Sequence, residues 1–214
     1  MTVTTRQAGR PMRKQTVALC IAMTLMAVGC VSRGRPFVRP EPETLVLGKT
    51  TYEDVIRQVG EPASVGTLFK NDCALKVITY SYIRPLNWPA EWGVIPLTAL
   101  SFFFLDDVLV GHHYTSAHPE DKTDFHDTKA YQLKKGQTTR AQVIELLGRP
   151  SGLYIYPMIG SKTDTALVYF YHRIKLETRF LKGLRPMITQ KMLIVSFDTQ
   201  DLVSAADFGP SAEK

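Results

Sequence analysis

Four of the five histidines fall in one stretch, His112-His113-x-x-x-x-His118-x-x-Asp121-x-x-Asp124-x-His126-Asp127. Imidazole nitrogens and carboxylate oxygens in that number could hold zinc or copper. The spacing matches no rigid metal site, so a linker would have to fold around the ion, and a solvated polar linker without metal or other cofactor is the expectation. A metal-binding role rests on this stretch alone. The chain carries no nucleophile elbow, phosphate-binding glycine loop, paired-histidine zinc helix or Cys-x-x-Cys, which argues against an enzyme and leaves no catalytic residue to name. Cys73 has no base near it in sequence and reads as a buried or adventitious thiol. The residues that remain suggest contact rather than reaction. Both tryptophans, Trp88 and Trp92, sit with Ile95 in a proline-bounded insertion, and a later run holds Arg173, Lys175, Arg179, Lys182, Arg185 and Lys191 with Glu177 the sole acid between them. Exposed tryptophans and unpaired cations suit a partner surface or a membrane interface, so Trp88, Trp92, Ile95, Arg179, Lys182 and Arg185 form the candidate contact set. Two blander alternatives compete with it, tryptophans filling an internal cleft and a charged strand face that is merely solvated.

A repeat organises the elements that must position these residues. Gly48-Lys49-Thr50-Thr51-Tyr52-Glu53-Asp54-Val55-Ile56-Arg57-Gln58-Val59-Gly60-Glu61-Pro62 recurs 88 residues later as the segment from Gly136 to Pro150, with seven of fifteen positions identical. Thr50 and Thr138 are placed to cap a helix, with Glu53 completing a capping box in the first copy. Val55, Ile56 and Val59, matched by Val143, Ile144 and Leu147, make the apolar stripe of a short helix. Gly60 and Gly148 suit a left-handed helix end, and Pro62 and Pro150 stop the helix resuming. Strands are expected over Ala74 to Ile83 and Leu100 to Leu105, with a turn at Asp106-Asp107 before Val108 to Tyr114. Further strands are expected over Leu167 to Phe180, Met192 to Phe197 and from Leu202 onward. In the longest of these, Val168, Phe170, Ile174, Leu176 and Phe180 alternate with Arg173, Lys175, Glu177 and Arg179, so one face is expected buried and one solvated. His172 falls on the apolar side and reads as a hydrogen-bonded core histidine. The segment Lys182 to Ile188 reads as the second copy's counterpart of the tryptophan loop. The fold class is therefore α+β, as two tandem units, each a short helix followed by an antiparallel meander.

The first thirty residues carry a different message. Arg13-Lys14, an apolar run from Thr16 to Met26, the small residues Ala27 and Gly29 and then Cys30 resemble a bacterial lipoprotein signal. The apolar run is about half the ~20 residues a spanning helix needs. The resemblance implies cleavage before Cys30 and a diacylglycerol thioether on its sulfur, with Met12 the expected initiator and residues 1–11 ahead of the signal. Val31 after the anchor fits outer-membrane sorting by the same resemblance. The whole chain has a net charge of +6, but with the four cations ahead of Cys30 removed the mature chain has 22 basic and 20 acidic residues, so no nucleic-acid partner follows from charge. Cys73 is then the only mature cysteine besides the anchor, and no disulfide is expected.

The pattern Leu-x-x-Gly-x-Thr-x-x-x-x-Val-x-x-x-x-Gly-x-Pro, followed by an aromatic strand and a hairpin, resembles the BamE (SmpA/OmlA) family of outer-membrane lipoproteins. The matching residues are Gly48, Thr50, Val55, Gly60 and Pro62, then Gly136, Thr138, Val143, Gly148 and Pro150. Phe37-Val38-Arg39-Pro40 looks like that family's extended arm. The resemblance implies a non-enzymatic envelope assembly or scaffold factor, anchored in the outer membrane and facing the periplasm, with the β-barrel assembly machinery as candidate partner. Two copies in one chain look more like the arrangement of β-lactamase inhibitory protein, which implies a periplasmic enzyme-inhibitor module as the alternative. The expected divisions are a signal over 1–29, a lipidated arm over 30–44, one unit over 45–116, a linker over 117–127 and a second unit over 128–210. Cys30→Ser should shift the protein from the outer membrane to soluble or inner-membrane fractions, since each buried acyl CH₂ contributes ~0.8 kcal/mol. Fractionation with mass analysis of the mature N-terminus checks this, and unchanged outer-membrane localisation without acyl mass would refute the anchor.

Overall fold

A computed structural model describes residues 34–83, 91–179 and 183–209, and the backbone of 212–213. Helix α1 (Tyr52–Val59) precedes strands β1 (Ser64–Lys70), β2 (Cys73–Ile83), β3 (Leu97–Leu105) and β4 (Val108–Ser116). Two 3-10 turns, Pro119–Asp121 and Asp127–Gln132, lead to helix α2 (Arg140–Leu147) and strands β5 (Gly152–Tyr154), β6 (Thr165–Arg179), β7 (Gly183–Phe197), β8 (Val203–Phe208) and β9 (Ala212–Glu213). All pairings are antiparallel, and the strands lie side by side in chain order from β1 to β8, with β9 pairing β7. This corrects the expectation of two tandem helix-and-meander units: the strands form one continuous sheet. The three residues of β5 join its halves, pairing with β4 through Gly111↔Tyr154, His112↔Leu153 and His113↔Gly152, and with β6 through Gly152↔Val168. A run of three residues has too little periodicity to be read from sequence.

The repeated motif docks each helix on the sheet with matching bonds. The caps are Thr51 and Thr139, one residue beyond the expected Thr50 and Thr138. Each closes a capping box, with Asp54 and Gln142 at the third helical position in place of the expected Glu53. Thr50 and Thr138 instead close the preceding turn, their hydroxyls accepting from the Val46 and Lys134 amides at 2.9 Å. Their carbonyls accept from the Leu109 and Val203 amides at 2.8 and 2.9 Å, while the Gly48 and Gly136 amides donate to the carbonyls of the same two residues at 2.8 Å. Gly-x-Thr is thus a backbone clamp onto β4 and β8. At the far helix end, the Tyr80 and Tyr169 hydroxyls donate to the Gly60 and Gly148 carbonyls at 2.6 and 3.1 Å.

Three apolar clusters hold the sheet. Val55 of α1 packs with Ile78, Leu100, Phe102 and Leu109, and Val143 and Leu147 of α2 with Leu167, Tyr169, Leu193 and Phe197. Ile144 departs from the expected stripe and is exposed. The opposite sheet face is covered too: Leu75, Phe103, Tyr154 and Val168, drawn from both halves, bury against Met158 and Ile159 from the β5–β6 loop. The first part of β6 is therefore buried on both faces, Leu167 and Tyr169 on one and Val168 on the other, where one solvated face was expected.

Gly60 and Gly148 have φ of 93° and 87° with ψ of −166° and −167°, so they occupy an extended mirror-image region rather than the expected left-handed helical one. That region is essentially glycine-only and costs another residue of order 1–3 kcal/mol. Nothing stands within 4 Å of a Cβ at either position, so strain alone sets the cost. Gly60→Val and Gly148→Val should each lower stability by ~1–3 kcal/mol, to a similar extent, in chemical denaturation. Unchanged midpoints would refute the assigned helix ends.

Candidate functional site

The histidine stretch is not a solvated linker. His112 and His113 are successive residues of β4, so they point to opposite faces, and both faces are covered. His112 is 5% exposed beside the Phe102 ring, and its Nε2 has no hydrogen-bond partner among the described residues. His113 sits among Phe103, Tyr154 and Phe170, with Nδ1 2.7 Å from the Tyr154 hydroxyl. Burial pushes both imidazoles down to about 4, helped by the Arg39 charge at His112 and by His112 at His113. His118 is buried with Nδ1 3.8 Å from a Glu120 carboxylate oxygen, whereas His126 is exposed. Residues 117–127 pack down through Thr123, whose hydroxyl donates to the Ser116 carbonyl at 2.7 Å, and through Phe125 in the α2-side core. Among the described residues no three His, Cys, Asp or Glu side chains converge as a metal site. Cys73 is half-buried, its Sγ 3.9 Å from the Tyr156 hydroxyl. His172 is half-buried, and burial lowers its pKa. Its backbone amide donates to Thr115 Oγ1 at 3.0 Å.

The contact set is partly assembled. Trp92 is 91% exposed, which removes the cleft-filling alternative for it, while Trp88 and Lys182, like Cys30, lie outside the described residues. After Trp92 the chain runs along the free edge of β6. Leu176 donates to the Gly93 carbonyl at 2.7 Å, Ile95 donates to the Ile174 carbonyl at 2.9 Å, and Val94 bridges Lys175. Gly93 is required there, with φ of 81° and a Cβ position only 2.6 Å from the Leu176 carbonyl oxygen. Glu91 clamps the loop by accepting from Lys175 Nζ at 2.9 Å and from Arg173, and these bonds hold its carboxyl below the usual range. Ile95 is thereby spent on the ladder and half-buried. Arg185 is exposed near the end of the β6–β7 hairpin, with no ion pair among the described residues, while Arg179 is placed by its backbone alone as the last residue of β6. The segment from Gly183 to Ile188 is strand, not the loop expected from its basic and apolar residues. Pro186 is tolerated because β7 has no described strand on its other side at that height. Sequence reading missed the pairing of residues 93–95 with 174–176. Gly93 beside two prolines was the one available sign.

Geometrically this is one antiparallel sheet that leaves Trp92 and the far part of the β6–β7 hairpin outside its core clusters. Residues 125–207, which span α2 to β8, match the family model described as Outer membrane protein assembly factor BamE domain. Gly136, Thr138, Val143, Gly148 and Pro150 lie inside that match, so the resemblance read from those residues is borne out there, while Gly48 to Pro62 lie outside it. A crystal structure from Streptococcus mutans described as "putative beta-lactamase inhibitor protein" is similar over 76% of this chain and 84% of its own, at 11% identity and a TM-score of 0.36. No curated protein matches the chain. Among the described residues no helix is long and apolar enough to cross a membrane.

The desolvated His112 and His113 make stability depend on acid. In the folded state they hold their protons only below about 4, whereas unfolded imidazoles take them up near 6.5, so the unfolded chain binds more protons in between. Stability should therefore fall as pH drops from about 6.5 to about 4, by up to ~1.4 kcal/mol per pH unit for each histidine. Urea midpoints at several pH values check this, and His112→Phe should flatten the dependence.

Proposed function

We propose that the protein is a non-enzymatic assembly or scaffold factor of the outer membrane, held there by a lipidated Cys30 and facing the periplasm, with a component of the β-barrel assembly machinery as partner. The BamE domain match over residues 125–207 carries this reading. The sheet supports it, since the motif residues serve helix ends and backbone clamps and leave the loop and hairpin free for contact.

Affinity purification of the full chain from solubilised envelopes should recover a barrel-assembly subunit. A soluble periplasmic enzyme recovered in its place would replace the scaffold reading with an inhibitor one. Trp92→Ala should leave stability within ~0.5 kcal/mol, as for other exposed positions. If Trp92 is an interface anchor, the same change should cost association ~2 kcal/mol or more.

A further inference from the structure

Three of the sheet's turns gather at one end. The β1–β2, β3–β4 and β7–β8 turns, at Asn71-Asp72, Asp106-Asp107 and Asp198 to Asp201, share the first end. Gly34 bridges Tyr82 at the opposite end, where Trp92 and the free part of the β6–β7 hairpin also lie. That hairpin outruns the rest of the sheet. The registers set Tyr171 level with Tyr82, so Arg179 lies eight residues farther out, about 26 Å at ~3.3 Å per residue. Its two faces differ. Ile174 and Leu176 share one with Leu184, Pro186 and Ile188, and the other bears Arg173, Lys175, Glu177, Arg179 and Arg185. None of the five apolar residues joins a core cluster, and Leu184 is 65% exposed.

We infer that this amphipathic ribbon lies along the phospholipid surface to which the chain is tethered, apolar face inward, with Trp92 at the headgroup level. The inference rests on the Cys30 anchor proposed above. Tether length decides the pose. Cys30 lies four residues before Gly34, which is at most about 14 Å of chain. An upright ribbon would hold the surface about 26 Å beyond Tyr82, out of the anchor's reach, so the ribbon must lie over. Lying over buries Leu184 and its neighbours, while the arginine and lysine stems reach back to the phosphates. Glu91 is shared by Arg173 and Lys175, and Glu177 lies opposite Arg185 in the strand register, so cations outnumber acids on this face. The aspartate turns face away from an anionic surface.

The test uses the lipidated full chain in a Cys73→Ser background, carrying one environment-sensitive fluorophore on Leu184→Cys or on Asp106→Cys. Each is reconstituted into zwitterionic phospholipid vesicles with and without added anionic phospholipid. Quenching by brominated lipid should be several-fold stronger at position 184 than at 106, should rise with anionic content, and should vanish at 184 when Ile188→Asp is added while the melt is unchanged. Equal quenching at both positions in acylated protein overturns the pose. So does a signal at 184 that appears only with added copies of the chain or with envelope protein, since another protein then covers the ribbon. Absence of acyl mass refutes the anchor itself. The ribbon is then judged by the same quenching ratio with unanchored protein mixed with vesicles, and no preference for 184 there overturns it too.

Discussion

The whole sheet depends on how closely β4 and β5 approach each other. A Cβ at Gly152 would stand 1.9 Å from the His112 carbonyl oxygen, and one at Gly111 would stand 2.6 Å from the Tyr154 ring. Any side chain at Gly152 would push the strands apart and break the three-residue ladder that joins the halves. Because that seam closes, Tyr154, Phe103 and Val168 can share one cluster across it, and the β5–β6 loop can cover them. The same closure leaves His113 among aromatic rings with a tyrosine hydroxyl as its partner, a neutral core residue where a free segment would have left a solvated one.

On the other face each helix is short, eight residues, and would be marginal alone. Its position comes from bonds at both ends: the Gly-x-Thr clamp on the outer hairpin strand and the tyrosine hydroxyl on the terminal glycine carbonyl. The N-terminal arm adds a strap across the same face. Phe37 packs 5.9 Å from the Tyr80 ring, and Arg39 stacks 4.5 Å over Tyr114 while donating to the Ser151 carbonyl across the seam. The segment nearest the proposed anchor therefore touches both halves of the sheet.

What stays outside this packing is also ordered by it. Strand β6 is buried on both faces where β5 and β7 flank it, then continues past the core as one strand of a ribbon, its outer edge held by residues 93–95. The ribbon keeps the alternation of a half-buried strand without a protein layer of the described chain against its apolar side.

Local features were legible in the sequence because they are set by near neighbours. The two helices, their glycine ends, the Asp106-Asp107 turn and most of β2, β3, β4 and β6 follow from spacing and turn chemistry within a few residues. The family resemblance rests on those same local positions. The single sheet was not legible, because it hangs on a three-residue strand and on the absence of a side chain at Gly152, whose meaning appears only when His112 is brought against it. The fate of the histidines was hidden for the same reason: a polar stretch reads as solvated until strand pairing shows that both its faces are covered. Thr50 and Thr138 were placed correctly in the motif and given the wrong bond, since a threonine one residue before the cap can close the turn behind it as readily as the helix ahead. Exposure of Trp92, and the ribbon that carries Leu184 and Arg179 past the core, were decided by tertiary structure alone, because burial belongs to what packs against a residue and not to the residue itself.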